Sequence, residues 1–363
     1  MQHYPAERLR DQIGILLRQW GMPEEKIDTT TEAMVDADLS GIDSHGISML
    51  MNYDSLMQQH RMDLQAPVRT VTETPAIAVL DAGGGLGHPV AVQAVDLAIT
   101  KARALGIGAV AVRNSHHFGA TGFYVRRAAE QGLIALATTT ARVLSVIPTG
   151  GSAPGLSTNP IAFAAPTAEG EPFVLDMSTS TVAMNKVKAY ALKEQDIPEG
   201  WVIDEAGRPV TDSAAAFAYL RDRPEGGLVP LGGSTPVSGG HKGYGLSLMV
   251  QILSAALSDA ALPGRGTERG DNIGHFFLVI DPEVFNPGGG AAAYTAELIA
   301  MMRATPPVDP GTAVLVPGDP EAAARKVRQR KGVPVPGLLL EAIREVCERN
   351  DVPFLLQSEE ATV

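Results

Sequence analysis

The sequence predicts an α/β protein whose first stretch is helical. Residues 5–60 keep the three-and-four spacing of apolar positions that marks helices. From about residue 69, strand-like runs alternate with helical ones, as in layered α/β folds. At 363 residues, with 45% hydrophobic and 19% charged content, the chain is long enough for two lobes enclosing a cleft.

In the helical part, Thr29-x-x-Glu32 has the form of a capping box and predicts a helix start, with the following apolar run ending near Gly41. A second helix is expected from Gly46 to about His60. Ile47, Leu50, Met51 and Met57 share one side and Met49, Tyr53 and Leu56 another, so two faces should be covered. VRTVTE (68–73) and AIAVLDA (76–82) read as strands. Gly87 and Pro89 open a helix through Leu105, with Ala91, Ala94, Val95, Ala98, Ala102 and Leu105 as its closely packed stripe. GIGAVAVRN (106–114) is a strand, 121–131 a helix and LIALATTT (133–140) a strand. The turn-rich PTGGSAPGLSTNP (148–160) is too long for a simple connection and reads as functional. Strands near 160–166 and 172–176 precede a helix near 182–193, and 194–240 reads as a polar excursion over the surface. A helix at 243–257, a strand at 274–280, a glycine-rich linker at 286–290, a helix near 291–303 and two final helices complete the chain.

Lys and Arg number 29 against 41 Asp and Glu, a net charge of −12. That argues against a nucleic-acid or anionic-membrane partner, while a few local cations could still hold a small anion. Cys347 is the only cysteine, which excludes an intrachain disulfide and cysteine-built metal sites. The expected setting is reducing and cytoplasmic, since MQHYPAERLRD lacks the apolar run of a signal peptide. No run of about 18 apolar residues suggests a membrane span.

DAGGGLGHPVA (81–91) follows a strand and opens a helix, but position 90 of the G-x-G-x-x-G pattern is Val, so it reads as a tight turn before a packed helix. Lys242 stands in the first turn of the helix after VSGG, where the helix dipole disfavours a cation. Either an anion such as a phosphate sits there, or the lysine turns to solvent or a carboxylate. His116 and His117, adjacent at a strand end, should point to opposite sides, so at most one faces a given cleft. A metal site from His45, His116 and His117 lacks ligand spacing, and no metal is expected. Asp176 ends an apolar strand and could face a cleft, with Ser178 to Ser180 as competing helix caps. Asp319 and Pro320 read as N-cap and first helical residue.

D-S-H-G (43–46), N-S-x-H-F-G-A-x-G (114–122), T-N-P (158–160), L-D-M-S (175–178), K-G-Y-G-L (242–246), I-G-H-F-F (273–277) and P-G-D (317–319) occur in this order. Together they resemble the type-2 malate/L-lactate dehydrogenase family across roughly residues 25–335. The family also includes ureidoglycolate, sulfolactate and diketogulonate enzymes and cyclic-imine reductases. The resemblance implies a non-Rossmann fold: a cofactor domain on a central, largely antiparallel sheet, and a mixed helical domain joining both termini. The domains would be 1–70 plus 305–363 (helical) and 71–304 (cofactor and substrate). It implies a homodimer using NAD or NADP on a small anionic 2-oxo or 2-hydroxy acid, or, alternatively, reducing a cyclic imino acid. His45 would be the acid/base, supported by Ser44 and Asp176. His117, Gly119, Ser157, Asn159, Asp176, Lys242, Gly243, Gly318 and Asp319 match cofactor positions, and Thr158 a substrate position. Many members carry arginine where this chain has Met49, which argues against malate itself. Arg142 is the candidate replacement for gripping a substrate carboxylate.

Overall fold

Prolines start the first helices. Pro5 and Pro23, both at the φ their rings impose, directly precede helices α1 (Ala6–Gln19) and α2 (Glu24–Leu39), which follow the short strand β1 (Gln2–Tyr4). The capping box expected at Thr29 is not formed. Thr29 lies inside α2 with its hydroxyl bonded back to Glu25 O at 3.3 Å, and the helix starts earlier on Glu24 and Glu25, acids that favour the positive end of the dipole. In the computed structural model, residues 1–191, 194–265 and 271–357 are described; the last two residues of the helix expected at 182–193 lie outside them.

After α2 the chain turns through Ser40–Gly46 into a short 3-10 turn (Ile47–Met49) and α3 (Leu50–Gln58). Strands β2 (Arg69–Glu73) and β3 (Ile77–Asp81) lead to α4 (Gly87–Leu105). The predicted alanine stripe of α4 is buried, but Leu105, at the helix end, is exposed. Then come β4 (Ile107–Ser115), α5 (Thr121–Ala129), β5 (Ile134–Thr139), β6 (Ile161–Ala165), β7 (Phe173–Met177) and α6 (Met184–Ala191). The excursion is more ordered than its composition suggests. It holds β8 (Val202–Ile203), α7 (Ser213–Asp222) and β9 (Gly227–Leu228), because Ala216, Leu220 and Val202 supply an apolar face. Next are α8 (Gly240–Gln251), β10 (Ile273–Ile280), α9 (Gly290–Arg303), α10 (Asp319–Lys331), β11 (Val333–Val335) and α11 (Gly337–Arg349). The glycines at 286–290 are not a plain linker: Gly288 and Gly289 N–H donate to the Glu283 carboxylate, and Gly289 caps α9.

The main sheet has the order β2-β3-β4-β10-β5-β6-β7, antiparallel throughout except for the β3–β4 pair. Helices α4 and α5 cover it over a core that includes Leu80, Ala94, Val110, Tyr124 and Phe277. A second core joins the chain's two ends, from Tyr4, Leu9 and Ile13 to Ile343 and Leu356. A third gathers Val146, Leu156, Val187, Val202 and Leu228 beneath the excursion. Two loops matter most for the site. Ser40–Gly46 leaves the helical core, and His116–Ala120 leaves the end of the interior strand β4 ahead of α5.

Candidate active site

The two loops bring imidazoles together. The rings of His45 and His117 stack at 5.4 Å, 28° from coplanar. Ser44 Oγ lies 2.7 Å from His45 Nδ1 and fixes that edge of the ring. Among the described residues nothing bonds His45 Nε2, and the ring is half-buried. On His117, Nδ1 accepts from Tyr53 OH at 2.8 Å and from Gly119 N–H at 3.4 Å. A nitrogen that accepts carries no proton, so the neutral His117 ring holds its hydrogen on Nε2. His88 lies behind them, fully buried, edge-on to Tyr53 and His117. Gly119 makes room for it: with φ +80°, a Cβ there would stand 2.8 Å from His88 Nε2.

Burial sets the charge of this hub. It pushes His45 down to about 4, an effect that water on the open side moderates. Burial, and then the neighbouring imidazole His45, pushes His88 down to about 3. Burial, then His45, His88 and His275, holds His117 well below the usual range. The rings are neutral near pH 7. His275, by contrast, is a structural histidine: its two nitrogens meet Thr139 Oγ1 at 2.7 Å and Ser115 Oγ at 2.9 Å.

Asp176 anchors the start of α5: its Oδ2 accepts the N–H of Gly122 at 2.7 Å, satisfying a free donor there, and no hydrogen bond joins it to His45. The residue lines a cavity with Ala120, Gly122, Gly318 and Glu321. It is open to solvent on the cavity side and enclosed elsewhere, so the rise of its carboxyl to about 6, driven by burial, is moderated by water. Asp319, next to Gly318, turns to Arg303 and to Val316 N–H at 3.0 Å; it is the first residue of α10, with Gly318 as the cap.

A third group sits between β6 and α8. Ser157 Oγ donates to Ala141 O at 2.6 Å, and Thr158 O accepts from Thr179 N–H at 2.9 Å. The buried Asn159, at φ +35°, donates Nδ2 to Ser247 O at 3.1 Å while its Oδ1 has no partner. Lys242 is exposed in the first turn of α8, without a side-chain partner among the described residues; Gly243 N–H bonds Leu231 O at 3.1 Å.

Two expected substrate contacts lie elsewhere. Met49 packs its side chain against the helical core. Arg142 Nε lies 3.3 Å from Asp271 Oδ2, which also pairs with Arg61. That cavity, of about 320 Å³, is lined by neither His45 nor His117. The adjacent histidines diverge as expected: His116 Nδ1 sits 3.5 Å from Asp271, on the other side of the strand end from His117. The hub residues the sequence did not single out are Tyr53, noted only for its helix face, and His88, a lone ring after Gly87 with no spacing partner. Among the described residues no trio of His, Cys, Asp or Glu is arranged to hold a metal, and no helix is long and apolar enough to cross a membrane.

A sequence model of the malate/L-lactate dehydrogenase family matches residues 4–344. The malate dehydrogenase of Pyrococcus horikoshii is 38% identical over 354 residues, 97% of this chain and 96% of that protein. The Delta(1)-pyrroline-2-carboxylate/Delta(1)-piperideine-2-carboxylate reductase of Pseudomonas putida is 32% identical over 352 residues, 94% and 96% of the two chains. The crystal structure of a malate dehydrogenase from Entamoeba histolytica superposes with a TM-score of 0.92 at 29% identity, covering 97% of this chain and 99% of that one.

Proposed function

This chain belongs to the malate/L-lactate dehydrogenase family and is an oxidoreductase acting on CH–OH groups, and from that premise we propose that it moves hydride between NAD or NADP and a small 2-hydroxy acid/2-oxo acid pair, with His45 exchanging the proton. The observation that carries the reading is the free Nε2 of His45, on a ring whose other edge is fixed by Ser44 at 2.7 Å.

The residues fit a nicotinamide dinucleotide. Ala120, Gly122 and Gly318 keep one cavity wall free of bulk, and Asp176 offers an acceptor there for a hydroxyl. The unpaired Asn159 Oδ1 is a buried acceptor awaiting a donor, and unpaired Lys242 at the start of α8 suits a phosphate. When bound, that cofactor supplies or accepts the hydride. The chain's own work is proton transfer and orientation. In oxidation, neutral His45 takes the hydroxyl proton on Nε2 while Nδ1–H points to Ser44. In reduction, protonated His45 returns it to the new alkoxide. The Nε2–H of His117 donates to an oxygen beside it, and the free hydroxyl of Thr158 faces the same small acid.

Initial rates of NADH and NADPH oxidation across 2-oxo acids test this. Oxaloacetate belongs in the panel despite Met49, because a malate dehydrogenase is a relative. We expect saturable oxidation with at least one oxo acid, and no turnover with any would defeat the proposal. The similarity to the reductase favours a second reading, cyclic imino-acid reduction, which faster turnover of piperideine- or pyrroline-2-carboxylate would select. Exposed apolar residues Leu248, Ile252 and Leu257 run along α8 and just past it, and suit pairing of two copies; light scattering of the native chain should give a dimer mass.

A further inference from the structure

The His45 loop has no regular structure of its own, so something must fix its shape. Below it, in the last turn of α2, lies Asp38, a carboxylate only 2% exposed. Asp38 Oδ2 accepts the N–H of Ile47 at 2.8 Å, two residues past His45. Its other oxygen fills the space beside Gly46: a Cβ on Gly46 would stand 1.9 Å from Asp38 Oδ1. The backbone of the same residue is held from outside, where Arg328 of α10 donates to Asp38 O at 2.6 Å and pairs with Asp43. The carboxylate thus touches both residues that follow His45, and it reaches no cavity of the site.

A carboxyl this deep is costly to ionise, and among the described residues no cation bonds it: Arg328 binds its backbone oxygen. A plain apolar residue would fill the volume, but it would leave Ile47 N–H without an acceptor and the loop free to shift. We propose that Asp38 is the positioning residue of His45: it sets the height and tilt of the ring by bonding Ile47 N–H and closing against Gly46. The inference rests on the reading of His45 as the proton-exchanging group. Acid/base transfer tolerates little misplacement, since an error of about 1 Å can cost roughly 10²-fold in rate.

The test compares Asp38→Ala, Asp38→Asn and His45→Asn by steady-state kinetics on the best oxo acid, with the thermal shift on NADH or NADPH binding as a readout independent of activity. Asp38→Ala should lower kcat by about 10²-fold and leave the cofactor KM and the cofactor-induced thermal shift unchanged. Asp38→Asn keeps an acceptor of the same shape and should restore kcat to within about threefold of wild type. If Asp38→Ala gives no soluble protein, Asp38→Ser, which draws the acceptor back from Ile47, must show the same kcat loss. Wild-type kcat in the Ala or Ser variant overturns the proposal. Equal losses in the Asn and Ala variants overturn it too, as does a loss confined to KM. An active His45→Asn variant instead overturns the reading of His45, a separable result.

Discussion

The imidazole hub at His45 and the arginine cavity at Asp271 lie on opposite sides of one strand end, reached by the neighbouring residues His117 and His116, and they handle charge in opposite ways. In the hub, among the described residues no ion pair touches a ring; burial keeps His45 neutral, and burial together with the neighbouring imidazoles keeps His117 neutral. In the cavity, burial pushes the Asp271 carboxyl up, but a bond from His116 and the charges of Arg142 and Arg61 outweigh it and hold the group below its usual range. The hub holds its rings neutral without pairing them to a fixed charge, whereas the cavity pairs its carboxylate with cations.

The strongest way to break this contrast is His45→Asn, which keeps size and one hydrogen-bonding edge but removes the exchangeable proton. Loss of the acid/base should reduce kcat by about 10²–10⁴-fold with the cofactor KM little changed. Retention of more than a tenth of kcat would place the chemistry elsewhere. In the wild type, kcat/KM for oxo-acid reduction should rise as pH falls toward 4, because reduction needs the protonated ring and burial has pushed His45 to about 4. A flat profile between pH 8 and 5 would assign the proton to another donor.

Stability should follow the same burial. His45 is pushed from 6.5 to about 4, His88 and His275 to about 3, and His117 well below 6.5. The unfolded chain takes up these protons as pH falls through 6.5 and the fold does not, so acidification lowers stability. Asp38, raised to about 8, and Asp176, raised to about 6, run the other way: their neutral forms favour the fold at low pH, a contribution lost as pH rises through those values. Four groups outweigh two between pH 6.5 and 4. Tm should therefore fall across that window, and a Tm that holds or rises would show that these histidines take up protons in the fold more readily than their burial implies.

Much of this was legible because the chemistry lies in short local motifs. Asp43-Ser44-His45-Gly46 marked the loop that carries His45 into the hub, and the divergence of His116 and His117 followed from strand geometry alone. Asp176 was ambiguous because a strand-end carboxylate looks the same in one dimension whether it serves an imidazole or the start of a distant helix. Its bond to Gly122, 54 positions away in sequence, is made only by the fold. Asp38 and His88 gave no signal for the same reason: each acts through a contact that the fold closes. Met49 stands in the 3-10 turn before α3, where its apolar side chain packs against the helical core.

Gly119→Ala probes the hub without replacing a titrating residue. At φ +80°, any side chain is strained, and the new Cβ would meet His88 Nε2 at 2.8 Å. The expected cost is about 1–3 kcal/mol in stability, with some loss of kcat as the ring behind His117 shifts. Unfolding in urea measures the first, and a ΔΔG near zero would mean that His88 has room to move.

The smallest effect is expected on the other side of the strand. Arg142 is half-exposed, and its bond to Asp271 is 3.3 Å long. Arg61 stays on the same carboxylate when Arg142 is removed, so Asp271 is not left alone. Only the arginine of this pair is open to solvent, but because Arg61 still neutralises the buried Asp271, Arg142→Ala should cost about 0–1 kcal/mol. The substrate KM should change by less than about threefold, because His45 and His117 do not line this cavity. A tenfold rise in KM for the oxo acid, with the KM for a cofactor unmoved, would instead make Arg142 the carboxylate grip that Met49 cannot provide, and would extend the substrate site across the strand end into the cavity.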